Sequence, residues 1–144
     1  MKQNTSTLLN EIKSSKSLDD VWMNEHAESM IESMELSEFL EEMLIRHDTK
    51  KNEVIKRSSL DQTYAYQIFQ GLKKKPSRDK LIRLALSFPL SVDETKLLLH
   101  YGGCEMLYPR VPRDAYLMYA IHNRYSVIKT DAYLDERGER PLDK

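Results

Sequence analysis

One stretch constrains the fold of this chain more than any other: residues 51–76, KNEVIKRSSLDQTYAYQIFQGLKKKP. It reads as a short helix, a tight turn at Ser58-Ser59-Leu60 and a second helix, closed by Gly71, three lysines and Pro76. Apolar residues take the positions that pin two such helices together: Val54 and Ile55 on the first, Leu60 in the turn, and Ala65, Ile68 and Phe69 on the second. The polar residues that open the second helix, Asp61, Gln62 and Thr63, are left facing outward together with Gln67. This is the pattern of a helix-turn-helix, in which the second helix presents its N-terminal polar side chains.

The flanking segments are helical as well. Leu36, Phe39, Leu40, Met43 and Leu44 recur at the spacing of one buried stripe, with Glu38, Glu41 and Glu42 outside. Ser37 is a candidate N-cap for that helix, and Asp48 or Thr49 for the next. Beyond Pro76, Ser77 can cap a helix whose stripe is Leu81, Leu84, Ala85 and Phe88, and Pro89 breaks it. Ser91-Val92-Asp93-Glu94 has the form of a capping box and opens a helix carrying Leu97, Leu98 and Leu99, stopped at Gly102-Gly103. A five-helix core over roughly residues 35–102 is therefore expected.

The remainder repeats what precedes it. Residues 78–107 set above 113–142, a shift of 35, agree at nine positions: Arg78/Arg113, Asp79/Asp114, Ala85/Ala120, Ser91/Ser126, Val92/Val127, Thr95/Thr130, Leu99/Leu134, Gly103/Gly138 and Leu107/Leu142. Two copies are too few for a solenoid. The expected outcome is an all-α fold in which a C-terminal helical pair echoes the fourth and fifth helices and stacks on them. The chain divides into an acidic arm over 1–34, a helix-turn-helix domain over 35–107 and a helical extension over 108–144. The arm is polar at 1–16 and becomes helix-like from Ser17, with Trp22 as the sole tryptophan.

The net charge of −1 conceals a sharp division. Residues 1–45 hold 3 Lys/Arg against 10 Asp/Glu, net −7; residues 46–83 hold 11 against 4, net +7; residues 84–144 hold 8 against 9, net −1. A basic block centred on the helix-turn-helix is the footprint expected for a polyanion, and the acidic arm is a candidate to mask it. No run is long and apolar enough for a membrane span or a signal peptide. A lone cysteine, Cys104, excludes an internal disulfide framework and points to a reducing cytoplasm. His26, His47, His100 and His122 are dispersed, with no zinc-ligand spacing, no phosphate loop and no catalytic motif. Neither a cofactor nor an enzymatic activity is expected.

Residues 36–103, about half the chain, resemble the Xre-type, lambda-repressor-like helix-turn-helix family of bacterial and phage regulators. The resemblance rests on the helix-turn-helix spacing, GLKKKP at 71–76, the Leu81/Leu84/Ala85 stripe and Ser91-Val92-Asp93-Glu94. The family usually has alanine at the position of Ile55 and glycine at that of Ser59, and commonly glutamate where Phe69 stands. The resemblance implies a transcriptional regulator that binds double-stranded DNA as a homodimer, with residues 61–70 as recognition helix. Gln62, Thr63, Tyr66 and Gln67 would read bases, the glutamines by paired bonds to adenine. Lys50, Lys51, Lys73, Lys74, Lys75 and Arg78 would contact phosphates, with Lys56 and Arg57 either joining them or facing water. A second reading stays open: a protein-interaction module or antitoxin-like adaptor on the same scaffold. It draws on Tyr64, Tyr66 and Phe69 and on the tyrosines of the extension, Tyr108, Tyr116, Tyr119, Tyr125 and Tyr133.

Overall fold

A computed structural model describes residues 34–144. The acidic arm, its Trp22 and its masking of the basic block lie outside the described residues. Among the described residues there are seven helices and no strand: α1 (Leu36–Arg46), α2 (Lys51–Ser58), α3 (Gln62–Gln70), α4 (Arg78–Ser87), α5 (Val92–Tyr101), α6 (Pro112–His122) and α7 (Val127–Glu136). The all-α reading holds, and none of these helices is long and apolar enough to cross a membrane.

α4 is the central helix. The predicted stripe of Leu81, Leu84, Ala85 and Phe88 is buried, but so are Ile82, Arg83, Leu86 and Ser87, leaving no solvent face from 81 to 88. A helix covered on all sides needs neighbours on all sides. α2, α5 and α7 supply them, while α1 packs across α3 and α5. Each fully buried leucine here contributes about 1.5–3 kcal/mol.

Serine caps start α4, α5 and α7. Ser77, Ser91 and Ser126 accept from the amides of Lys80, Glu94 and Lys129 at 3.4, 3.0 and 3.1 Å. Two predicted caps are corrected. α1 begins before Ser37, at N-cap Glu35, whose amide donates to the Glu38 carboxylate at 2.8 Å. α2 is preceded not by a capping side chain from Asp48 or Thr49 but by Lys50 in extended backbone. Asp48 is spent turning the chain, at φ 48°.

The capping box of α5 forms and does more than cap. Glu94 is fully buried and accepts from the Ser91 amide at 2.9 Å, from Arg46 Nε at 2.6 Å and from His47 Nε2 at 2.8 Å. It thereby locks the end of α1 to the start of α5. Burial alone would raise its pKa. The hydrogen bonds from His47 and the Ser91 amide, with the charges of His47 and Arg46, outweigh burial and hold the carboxyl below its ordinary range.

The 35-residue echo is realised as two helical pairs, α4–α5 and α6–α7, that clasp each other reciprocally. Arg78 of the first pair forks onto Asp114 of the second at 2.9 and 2.6 Å. Arg113 of the second forks onto Asp79 of the first at 3.2 and 3.0 Å. Arg78 also donates to the carbonyls of Glu105 and Met106, and Arg113 to those of Arg140 and Pro141, again 35 residues on. Asp114 accepts from the Tyr108 amide and Asp79 from the Asp143 amide, both at 3.0 Å. α4 packs on α7 and α5 on α6, the same contact seen from either copy. Exchange in both directions is the signature of a local two-fold relation, in which i meets j and j meets i. A stacked array would instead pass each arginine onward to the next copy.

Candidate nucleic-acid interface

The α2–α3 unit is held by the turn between its helices. Ser59 adopts the left-handed conformation at φ 57°, where the resembling family usually has glycine. A non-glycine residue there costs about 1–2 kcal/mol, and the surrounding bonds supply the compensation. Fully buried Ser58 donates its hydroxyl to the Ile55 carbonyl at 2.6 Å and accepts from the Leu60 amide at 3.2 Å. The carbonyl of Ser58, one of the unsatisfied acceptors at the end of α2, takes Arg83 Nη1 at 3.0 Å. Asp61 then caps α3 by accepting from the Tyr64 amide at 2.9 Å. Val54, Ile55, Leu60, Ala65, Ile68 and Phe69 are all buried, as the apolar pattern predicts.

The four predicted base-reading residues share one face of α3. Gln62 and Tyr66 are four residues apart, as are Thr63 and Gln67, so each pair stacks along the helix. Gln62 and Thr63 are exposed, while Tyr66 and Gln67 are half-buried. A cleft of about 430 Å³ runs beside Gln62, lined also by Asn52, Lys56 and Leu60. Phe69, by contrast, is a core residue and no part of the exposed surface. Tyr64 turns toward α4, with Lys80 Nζ 4.3 Å and Lys73 Nζ 5.8 Å from its ring centroid.

The predicted phosphate contacts separate into three groups. Lys50, Lys73, Lys74 and Lys75 are exposed. The last three line a cleft of about 480 Å³ with Glu35, Glu38 and Tyr101, so two carboxylates temper their field. Lys51 is partly committed, pairing with Glu41 at 2.9 Å and lying 5.6 Å from the Phe69 ring centroid. Arg78 forms the third group: its four hydrogen bonds go to Asp114 and the carbonyls of Glu105 and Met106, making it a clamp between the two helical pairs. Arg57 is exposed but partly committed, donating to the Ser87 carbonyl and to Thr49, and Lys56 is exposed.

Sequence periodicity gave no warning of Arg83, which is 1% exposed and supports the turn. Its one signal was the second apolar row of α4, Ile82 and Leu86, which marks the supposed outer face as covered. Tyr101 Oη is buried without a hydrogen-bond partner among the described residues, and burial pushes its pKa up to about 12. Burial also raises the Cys104 thiol, against the pull of Arg78 and Lys75. Among the described residues no group of three His, Cys, Asp or Glu side chains could hold a metal ion.

A second surface stands on α6–α7. Tyr119 stacks on Tyr133 at 5.4 Å between centroids, and Tyr125 and Tyr116 meet Tyr133 edge-on at 5.6 and 5.9 Å. Arg137 lies 3.6 Å from the Tyr133 centroid and Lys129 4.3 Å from that of Tyr125. Comparison with protein-family models, curated proteins and solved structures yields no match for this chain.

Proposed function

We propose that this chain is a sequence-specific DNA-binding regulator that places residues 61–70 in the major groove of double-stranded DNA. The observation that supports it is the single polar face of Gln62, Thr63, Tyr66 and Gln67 on a helix whose entry turn is fixed by buried bonds. Gln62 and Gln67 carry the donor–acceptor pair that matches adenine, and Thr63 suits either a base edge or a thymine methyl. Lys50, Lys73, Lys74 and Lys75 supply the sequence-independent attraction, with a smaller share from Lys51. One reading helix spans few base pairs, so the functional unit is a homodimer on two half-sites about one helical turn apart.

Fluorescence anisotropy with duplexes selected from a random library tests this reading. Four phosphates neutralised per protomer, eight for the dimer, give a slope of log affinity against log salt of roughly −7. Gln62→Ala/Gln67→Ala costs about 1–3 kcal/mol per base contact and erases preference among sequences while leaving the slope in place. A chain that shows no preference among duplexes, even in low salt, is not a reader of DNA.

The tyrosine cluster of α6–α7 favours a second reading, a protein-interaction module or antitoxin-like adaptor. Tyrosine and arginine are both among the residues enriched at the centres of protein interfaces. Under this reading a partner, such as the product of a neighbouring gene, is captured by the wild-type chain and lost with Tyr119→Ala. DNA selectivity is then absent from the start.

A further inference from the structure

Arg83 has no counterpart in the second helical pair. A shift of 35 from Arg83 falls on Met118, although Ala85/Ala120 and Asp79/Asp114 on either side are identical. The helical pair therefore folds without an arginine at this position. A buried guanidinium is costly to desolvate, and a methionine would fill the same space without that cost. What Arg83 does that methionine cannot is visible in its bonds. Nη1 donates to the Ser58 carbonyl in the helix-turn-helix at 3.0 Å, while Nε and Nη2 donate to the carbonyls of Asp143 and Leu142 at 2.7 and 2.9 Å. Its nearest carboxylate is Asp131 Oδ2 at 3.7 Å, and Asp131 Oδ1 accepts from the Leu142 amide at 2.8 Å.

The segment 140–143 is thus gripped along its backbone. Arg113 takes the carbonyls of Arg140 and Pro141, Arg83 those of Leu142 and Asp143, and Asp131 and Asp79 the amides of Leu142 and Asp143. Leu142 is buried as its apolar anchor. On these contacts we propose that Arg83 is a positioning residue for the reading helix, and that segment 140–143 is the brace that fixes Arg83 under the turn. A guanidinium held on one side by two carbonyls, with the Asp131 carboxylate 3.7 Å away, presents Nη1 to Ser58 at one angle. That angle sets where the chain leaves α2, and so where Gln62 and Thr63 point. Arg83 itself is buried and touches no DNA.

The DNA-binding arm of the test rests on the reading proposed above; the exchange arm does not. In the full chain, Arg83→Met leaves helical content and the salt slope unchanged, because no phosphate contact is removed. It lowers the affinity ratio of selected over random duplex by about tenfold, the loss carried by one misplaced base contact. Arg83→Lys recovers part of that ratio, since an ammonium reaches Ser58 but not all three carbonyls. An unchanged ratio overturns the proposal. Should Arg83→Met not fold, Asp131→Asn keeps the arginine and loosens only the brace. Hydrogen exchange then quickens at 140–143 and, in step, at the Ser59 and Leu60 amides. Quickening confined to 140–143 overturns the proposal. If the wild-type chain selects no DNA, the DNA reading falls while this exchange result still decides the brace.

Discussion

The two helical pairs carry the same grammar and have been given different work. Both open with Arg-Asp, both cap their second helix with serine, and both back-bond a threonine hydroxyl to that serine's carbonyl, Thr95 to Ser91 at 2.7 Å and Thr130 to Ser126 at 2.8 Å. Both stop at a glycine of positive φ, Gly103 at 70° and Gly138 at 73°. Yet α4 is sunk in the core with a charged residue at its centre, whereas α6 leaves Tyr119 half exposed at 50%. The difference teaches that shared positions build the scaffold and divergent ones carry the specialised duty. Arg83 and Glu94 belong to the first pair alone and tie it to the α2–α3 turn and to α1. Their counterparts, Met118 and Lys129, are free of that task.

The largest expected effect breaks the clasp itself. Arg113→Ala takes the guanidinium fork from Asp79, 5% exposed, leaves it only the outlying Arg140 at 3.4 Å and the Asp143 amide, and releases the carbonyls of Arg140 and Pro141, costing about 3–4 kcal/mol in urea denaturation. Arg78→Ala strands Asp114 from a guanidinium that is 24% exposed, and costs less, about 2–3 kcal/mol. The reverse order would show that the clasp is anchored from the first pair rather than the second.

Acid sharpens the same comparison. In Asp79, Asp114 and Glu94 burial pushes the pKa upward, and hydrogen bonds from Arg113, Arg78 and His47 respectively, with nearby charges, more than reverse it. Their folded pKa values lie below the unfolded ones, so the unfolded chain takes up protons first and stability falls with pH. Their contribution is complete above the ordinary carboxylate range and is lost as pH drops through the depressed folded values. Thermal melting should therefore hold from neutrality to about pH 5 and decline below it. Asp79→Asn and Asp114→Asn, each less stable at neutral pH, should each flatten part of that decline; a decline of unchanged steepness would place the acid sensitivity elsewhere.

The smallest effect separates the two caps. Ser126→Ala loses one amide bond, about 1 kcal/mol, while Ser91→Ala approaches 2 kcal/mol because Glu94, which joins α1 to α5, is part of the same box. Equal costs in urea denaturation would mean that Glu94 keeps its place without the serine.

Much of this was legible from local pattern. The stripes, the serine caps, the glycine stops and the 35-residue echo describe what each helix does with its own neighbours along the chain, and periodicity reports that directly. The clamp made by Arg78 is not legible from periodicity, because its partner, Asp114, lies 36 residues away and no period carries that information. A signal was nonetheless present, since Arg-Asp opens both copies, and a dyad retained while neighbouring residues drift is a dyad with a structural partner. Ser37 failed as a cap because the glutamate pair on either side, Glu35 and Glu38, closes the helix start two residues earlier. Ser59 and Ile55 depart from the resembling family's pattern, yet the turn closes around both, with Ile55 buried and Ser59 left-handed.

The reciprocal clasp also sets an upper limit on the architecture. Each copy offers one arginine and one aspartate, and two copies facing each other consume both, so the valence of the unit is two. A third copy added by further duplication would bring an arginine and an aspartate for which no counterpart is open. It would leave that arginine and aspartate unpaired, unless it arrived with a fourth. Growth of such a chain is therefore quantised in pairs.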